Sequence, residues 1–258
     1  MPDFDSLFHL PMVLAVVAVI GVAALAHGTL GFGFPIISTP VVALLTDIRT
    51  AILVTLFPNI VVNLMSVLRG GNWRLSLGRH WPVAAYVLIG TVAGTHLLIT
   101  ANPELLKLLL ALMIVVYLLQ ARFRMLDWSL LGRHPRGSAI LFGLMAGFLA
   151  GTVNVTVPPL MIYFMAIGVE SVALTQILNL CFLVGKSAQA ITLGISGQIG
   201  PDLLVATTPL AVLAATALLV GLRIQSHIRA EVYQGLLRKV LWLMALVLVA
   251  QAGWRYLR

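Results

Sequence analysis

The sequence predicts an all-α polytopic membrane protein made of two inverted repeats, each a broken-helix hairpin followed by three transmembrane helices. Three observations predict it. First, 60% of the 258 residues are hydrophobic and 9% are charged, with a mean hydropathy of +1.06. Soluble domains carry roughly 25% charged residues, so a soluble globular fold is excluded, and so is a disordered chain. Second, apolar runs follow one another along the chain with short connections. Third, a Gly- and Pro-containing break recurs in both halves at an offset of 123 residues.

Repeat 1 covers 8–121. It opens with a hairpin over 11–46, whose apolar runs 11–27 and 35–46 fall short of the ~20 residues that span a bilayer. The break between them is Gly28-Thr29-Leu30-Gly31-Phe32-Gly33-Phe34-Pro35. Spans over 51–68, 82–100 and 105–121 follow. A basic linker, 122–137, leads to repeat 2 over 138–258. There the hairpin is 139–168, broken at Gly151-Thr152-Val153-Asn154-Val155-Thr156-Val157-Pro158-Pro159. Spans over 174–195, 203–222 and 236–254 complete the repeat. The offset sets Gly28 on Gly151, Thr29 on Thr152, Pro35 on Pro158, Asp47 on Glu170 and Asn63 on Lys186. Such internal symmetry is the mark of repeat-built transporters.

Basic residues concentrate on the cytoplasmic side of membrane proteins. Arg69, Arg74 and Arg79 place loop 69–80 inside, and Arg122, Arg124, Arg133 and Arg136 place the linker there too. In the second half, loop 196–202 has no Lys or Arg, whereas Arg223, Arg229, Arg238 and Lys239 follow it. Matching loops therefore face opposite sides, which makes the repeats inverted. Arg255 and Arg258 then lie outside, against the trend. The net charge of +8 reads as cytoplasmic loops over anionic lipid, not as a nucleic-acid surface.

A broken helix exposes backbone groups that lipid cannot satisfy, so it survives only where protein or water lines it. Pro35 and Pro158 suit the first turn of a following helix, whose free N–H groups and positive dipole end favour an anion. Thr29, Asn154 and Thr156 add side-chain donors, and Gly31 and Gly33 allow a ligand close to the backbone. Lys186 is the one Lys, Arg, Asp or Glu deep inside a predicted span. A mid-membrane cation is costly and reads as functional. Gln176, Asn179 and Lys186 share a helical face, as do Thr55, Asn59, Asn63 and Ser66 in the first half. Asn59 and Asn63 join the candidate substrate site, whereas Thr55 and Ser66 read as interhelical glue. Lys186 and His27, beside the first break, are the candidates for proton coupling.

Gly185-Lys186-Ser187 imitates the end of a phosphate-binding loop, but Leu180 stands where that motif needs glycine. No metal-ligand cluster and no nucleophile–base pair is visible, so the reading carries no metal, no cofactor and no enzyme. Cys181 lies in an apolar run as a core residue.

The chain resembles the sulfite exporter TauE/SafE family of bacterial membrane permeases. The resemblance is carried by Gly28-x-x-Gly31-x-Gly33 with Pro40, by Arg69-Gly70-Gly71-Asn72-Trp73, and by Gly147-x-x-x-Gly151 leading to Pro158-Pro159-Leu160. It implies movement of a small sulfur-containing or organic anion, such as sulfite or a sulfonate, across the bacterial cytoplasmic (inner) membrane. Thr156-Val157 stands where the family tends to have Gly-Gly, and Asn154 replaces a usual glycine, which tunes the site toward a different anion. The expected partners are that anion and membrane lipid; the sequence leaves the oligomeric state, the direction and the coupling ion open. An anion channel, or a transporter of another small polar solute, is the alternative.

Overall fold

The computed structural model describes residues 10–70, 78, 80–123, 131, 134–225, 242 and 245–247. All regular structure among them is helical: α1 Leu10–Leu30, α2 Phe34–Leu45, α3 Ile48–Arg69, α4 Trp81–Thr100, α5 Pro103–Phe123, α6 Pro135–Val153, α7 Val157–Ala166, α8 Ser171–Ile195 and α9 Pro201–Ile224. Six candidate spans are long and apolar enough to cross a membrane: α1, α3, α4, α6, α9 and Ala173–Ile195 of α8. The protein is thus a multi-pass helical membrane protein. Ile191, Ile195, Val205 and Val212 are exposed on its surface, as a lipid solvent allows.

Two of the short apolar runs prove to be the centres of longer helices. α1 has 21 residues and α6 has 19, whereas hydropathy marks only 11–27 and 139–151. The first turn of α6 holds Arg136, Gly137 and Ser138, which hydropathy alone reads as loop. α2 and α7, with 12 and 10 residues, rise only about 18 and 15 Å and cannot cross a ~30 Å core. Most of span 236–254 lies outside the described residues. So do Gly71-Asn72-Trp73 and the basic residues Arg74, Arg79, Arg124, Arg133, Arg229, Arg238, Lys239, Arg255 and Arg258, together with the side chain of Arg122.

The helix boundaries keep the 123-residue offset. α1 ends at Leu30 and α6 at Val153; α2 begins at Phe34 and α7 at Val157; α3 begins at Ile48 and α8 at Ser171. At the equivalent break positions Gly31 has φ 82 and Asn154 has φ 61. Both occupy the left-handed region, which glycine enters freely and asparagine tolerates.

The halves are interlocked, not side by side. α1 packs mainly on α9, and α6 on α4. Glycines make these crossings close. On α6, Gly143 meets Val83 and Tyr86, Gly147 meets Val87, and Gly151 meets Thr91 and Thr95. Residue numbers rise together, so α4 and α6 run parallel. Gly28 of α1 rests on Gly221 of α9. Small residues let backbones touch where lipid supplies no hydrophobic drive.

α3 and α8 cross at the centre in opposite directions. Near one end, Gln176 Nε2 donates to the Gly70 carbonyl at 3.0 Å. Near the other, Leu53 and Leu56 cluster with Leu193 and with Leu203 of α9. α3 is started by Asp47, whose carboxylate accepts from the backbone N–H of Arg49 at 2.8 Å and of Thr50 at 3.2 Å. The Arg49 guanidinium then donates to the carbonyls of Leu98 at 2.9 Å and Ala101 at 2.6 Å, tying α3 to the end of α4. The second hairpin folds back on itself: Tyr163 Oη of α7 donates to the carbonyl of Pro135, where α6 begins, at 3.4 Å.

Candidate functional site: a cavity at the first helix break

The first break leaves a cavity of about 380 Å³. α1 contributes His27 and Gly28, with Gly31 beyond it; α3 contributes Ser66 and Arg69, with Gly70 beyond it; α8 contributes Thr175, Gln176 and Asn179; Leu222 and Gln225 close the α9 side. Among the described residues Arg69 is the permanent charge in this lining, and no Asp or Glu joins it.

His27 is fully buried, and both ring nitrogens are engaged. Nδ1 accepts from the backbone N–H of Phe34 at 3.4 Å, and Nε2 lies 3.1 Å from Ser66 Oγ. Ser66 Oγ donates in turn to the Val62 carbonyl at 2.8 Å. Thus α2, whose N-cap residue Gly33 has no side chain, is capped by a histidine from the preceding helix. Asn179 Nδ2 donates to the Gly31 carbonyl at 2.7 Å and to Thr175 at 2.8 Å. That bond satisfies a carbonyl which the break removed from its helix. The Asn179 side chain faces the His27 ring, and its buried Oδ1 is otherwise unpaired among the described residues.

A second polar group joins the two halves at the other break. Asn63 Nδ2 donates to Asn59 Oδ1 at 2.6 Å and to the Asn59 carbonyl at 2.7 Å. Asn59 Nδ2 donates to Asn154 Oδ1 at 3.5 Å, and Asn154 Nδ2 to Thr39 Oγ1 at 2.6 Å. A third group centres on Lys186, whose Nζ donates to Gln189 Oε1. Gln189 Nε2 donates to the Gly151 carbonyl at 2.9 Å, which ties Lys186 to the second break.

The candidate residues therefore separate into sets. His27, Gly31, Gln176 and Asn179 line one cavity. Asn59, Asn63 and Asn154 form the buried chain between the halves, and Lys186 stands with Gln189 at the second break. Thr29 turns its hydroxyl back onto the Ala26 carbonyl at 2.9 Å. Gly33 is buried with φ 114, and a Cβ there would meet nothing within 4 Å. Thr156 is buried at the N-cap position of α7, and its side chain makes no capping bond. Thr55 bonds within its own helix, to the Ala51 carbonyl at 2.8 Å.

Sequence reasoning left out Ser66, Arg69, Thr175, Gln225, Thr39 and Gln189. Ser66 and Gln189 lie 123 residues apart, so the repeat offset could have paired them. Gln189 also stands one turn from Lys186. Arg69 enters the sequence reading as a loop charge and as the first residue of Arg69-Gly70-Gly71-Asn72-Trp73, not as a lining residue. Nothing local marks Thr39.

The family model described as Sulfite exporter TauE/SafE matches residues 15–251. No curated protein matches the chain, and no solved structure does.

Proposed function

The chain belongs to the sulfite exporter TauE/SafE family, a family of membrane transporters of sulfite or related anions, and on that premise we propose that it is a secondary transporter of a small sulfur-containing anion, sulfite or a sulfonate. It works by alternating access in the bacterial cytoplasmic membrane, with a proton as the coupling ion.

One observation carries the reading: the α8 and α9 part of the cavity lining has a closed apolar counterpart at the equivalent positions of the other half, although Ser66 and Arg69 correspond to the polar Gln189 and Thr192. Gln176 and Asn179 lie 123 residues after Leu53 and Leu56, Leu193 lies 123 after Gly70, and Leu222 lies 123 after Ile99. Leu53, Leu56 and Leu193 form a closed apolar cluster against which Ile99 packs. Polar and open on one side, apolar and shut on the other, is the asymmetry of a transporter caught in one state. An open pore would need both sides wet.

The antiparallel crossing of α3 and α8 supports inverted repeats, because a two-fold axis in the membrane plane reverses equivalent helices. The exchanged pairs α1–α9 and α6–α4 support the same axis. Arg69, Arg136 and Arg223 fall at the end where the cavity opens, which makes that end cytoplasmic. Arg49 and Lys107, toward the opposite end, are engaged with the Leu98 and Ala101 carbonyls and with Glu104.

In this scheme the break residues Gly31, Gly33, Asn154 and Thr156, with Thr29, form the anion path. Asn59, Asn63, Gln176 and Asn179 supply its hydrogen bonds. Lys186 supplies a full positive charge at the second break. Half-helix ends contribute only ~0.5 charge each, and an uncompensated buried anion is costly.

Cysteine accessibility tests the cycle. Cys181 is buried, so background labelling should be low. Ser66→Cys, in the cavity, should react readily with a maleimide, and Leu56→Cys should be protected. Sulfite gradients should move the two rates in opposite directions. Equal, gradient-independent labelling of both positions is the outcome of an open channel.

A further inference from the structure

We propose that His27 is the proton carrier, and that its protonation turns the first helix break into a two-donor site for the anion. The proposal rests on the transporter reading and names its coupling residue and binding atoms.

The hydrogen bonds fix where the proton sits in the resting state. Phe34 N–H donates to Nδ1, so Nδ1 carries no proton and the neutral ring holds its hydrogen on Nε2. That hydrogen is directed to Ser66 Oγ, whose own hydrogen goes to Val62. The chain of donors is complete, and the empty site needs no ion.

Adding one proton changes only Nδ1. The Phe34 N–H then faces an Nδ1–H, and the bond between them becomes a contact between two donors. An acceptor inserted there relieves it. A sulfite or sulfonate oxygen accepts from both, at the N-terminus of a 12-residue helix whose dipole favours negative charge. The neighbouring Gly33 leaves buried open space where a side chain would otherwise begin. Departure of the anion restores the conflict and expels the proton, so one proton moves with one anion.

The surroundings favour an anion as the counter-charge. α2 presents no titratable side chain. α3 presents Arg69, α8 presents only Thr175, Gln176 and Asn179, and α9 presents Leu222 and Gln225; Arg223 is exposed, and Lys186 is held by Gln189. Among the described residues no carboxylate lines the cavity to neutralise an imidazolium. In the second half the equivalent of His27 is Ala150, so the device exists at one break only.

The test is proton uptake on adding sulfite to purified protein in weakly buffered solution, wild type against His27→Gln. Glutamine can accept from Phe34 N–H and donate to Ser66, yet it does not titrate. Sulfite's own proton exchange is common to both proteins, so the difference isolates the residue. Wild type should take up roughly one more proton per bound sulfite than His27→Gln, and the affinity ratio between them should grow as pH falls. Equal uptake by both, with sulfite bound, overturns the role of His27 and leaves the transporter reading intact. Absence of sulfite binding by the wild type overturns the transporter reading, and this proposal with it. If His27→Gln does not fold, histidine-labelled protein with His27 as its sole histidine reports Nδ1 by NMR. An unprotonated Nδ1 in the sulfite complex overturns the proposal.

Discussion

Replacing Lys186 with glutamine should reduce sulfite transport by at least about tenfold while leaving the folded protein as stable as the wild type or more so. Tenfold corresponds to about 1.4 kcal/mol, a modest demand for removing a cation from a water-poor site. Lys186 is buried, and among the hydrogen bonds found it donates to Gln189. Glutamine can keep a donor there, so the tie through Gln189 to the Gly151 carbonyl survives. What disappears is the charge. A buried charge costs desolvation energy in the empty protein, so its loss should not lower the melting temperature. Lys186→Arg keeps the charge in a bulkier form that does not deprotonate, and should retain part of the transport. The measurements are sulfite flux and melting temperature on the same preparations. Wild-type flux in Lys186→Gln would make the lysine structural.

Gly147→Val should be the most damaging single change away from the cavity. A Cβ at Gly147 would lie 2.8 Å from Val87 Cα, against backbone and not a movable side chain. The α4–α6 crossing would have to open, and Gly143, Gly151, Gly90 and Gly94 on the same seam would lose contact together. Overpacking a tight site costs about 1–3 kcal/mol, and here the strain spreads along a whole helix pair. The yield of monodisperse protein and its melting temperature should both fall sharply. Gly137→Val is the control: it lies in the first turn of the same helix, where an added Cβ meets nothing within 4 Å. Similar losses from both substitutions would mean that valine in α6 is at fault and not the seam.

Much of this fold was legible because membrane segments and their breaks are written in composition. The Gly/Pro clusters located both breaks, and the 123-residue offset paired Asp47 with Glu170, the N-cap residues of α3 and α8, although hydropathy began those spans at 51 and 174. The proposed orientation rests on arginines that sit in loops. Two things were hidden. Hydropathy ended the α6 run near Ala139 because Arg136 and Ser138 are polar, although a helix begun by Pro135 carries them without penalty in its first turn. The exchange of α1 and α6 between halves was hidden as well. Glycines at 28, 147 and 151 announce close packing, but they do not say against which helix.

Buried polar residues of the candidate site were legible in kind and not in grouping. Buried polar residues stand out in apolar runs, so Asn59, Asn63, Asn179 and Lys186 were found. Periodicity put Gln176, Asn179 and Lys186 on one face, yet it could not show that the first two line a cavity while the third bonds Gln189 one turn further along. Ser66 looked like glue because its most visible bond is to its own helix; its bond to His27 spans 39 residues and leaves no local trace.

The central claim is that the cavity and the apolar cluster are alternately open ends of one anion path. The most direct measurement is sulfite flux into proteoliposomes containing the purified protein, with sulfite preloaded or absent inside. Uptake should be saturable and accelerated by internal sulfite, since exchange returns a loaded carrier faster than an empty one, with no ohmic anion current across a bilayer. Flux that rises linearly with sulfite, ignores internal sulfite and carries an ohmic current would contradict it.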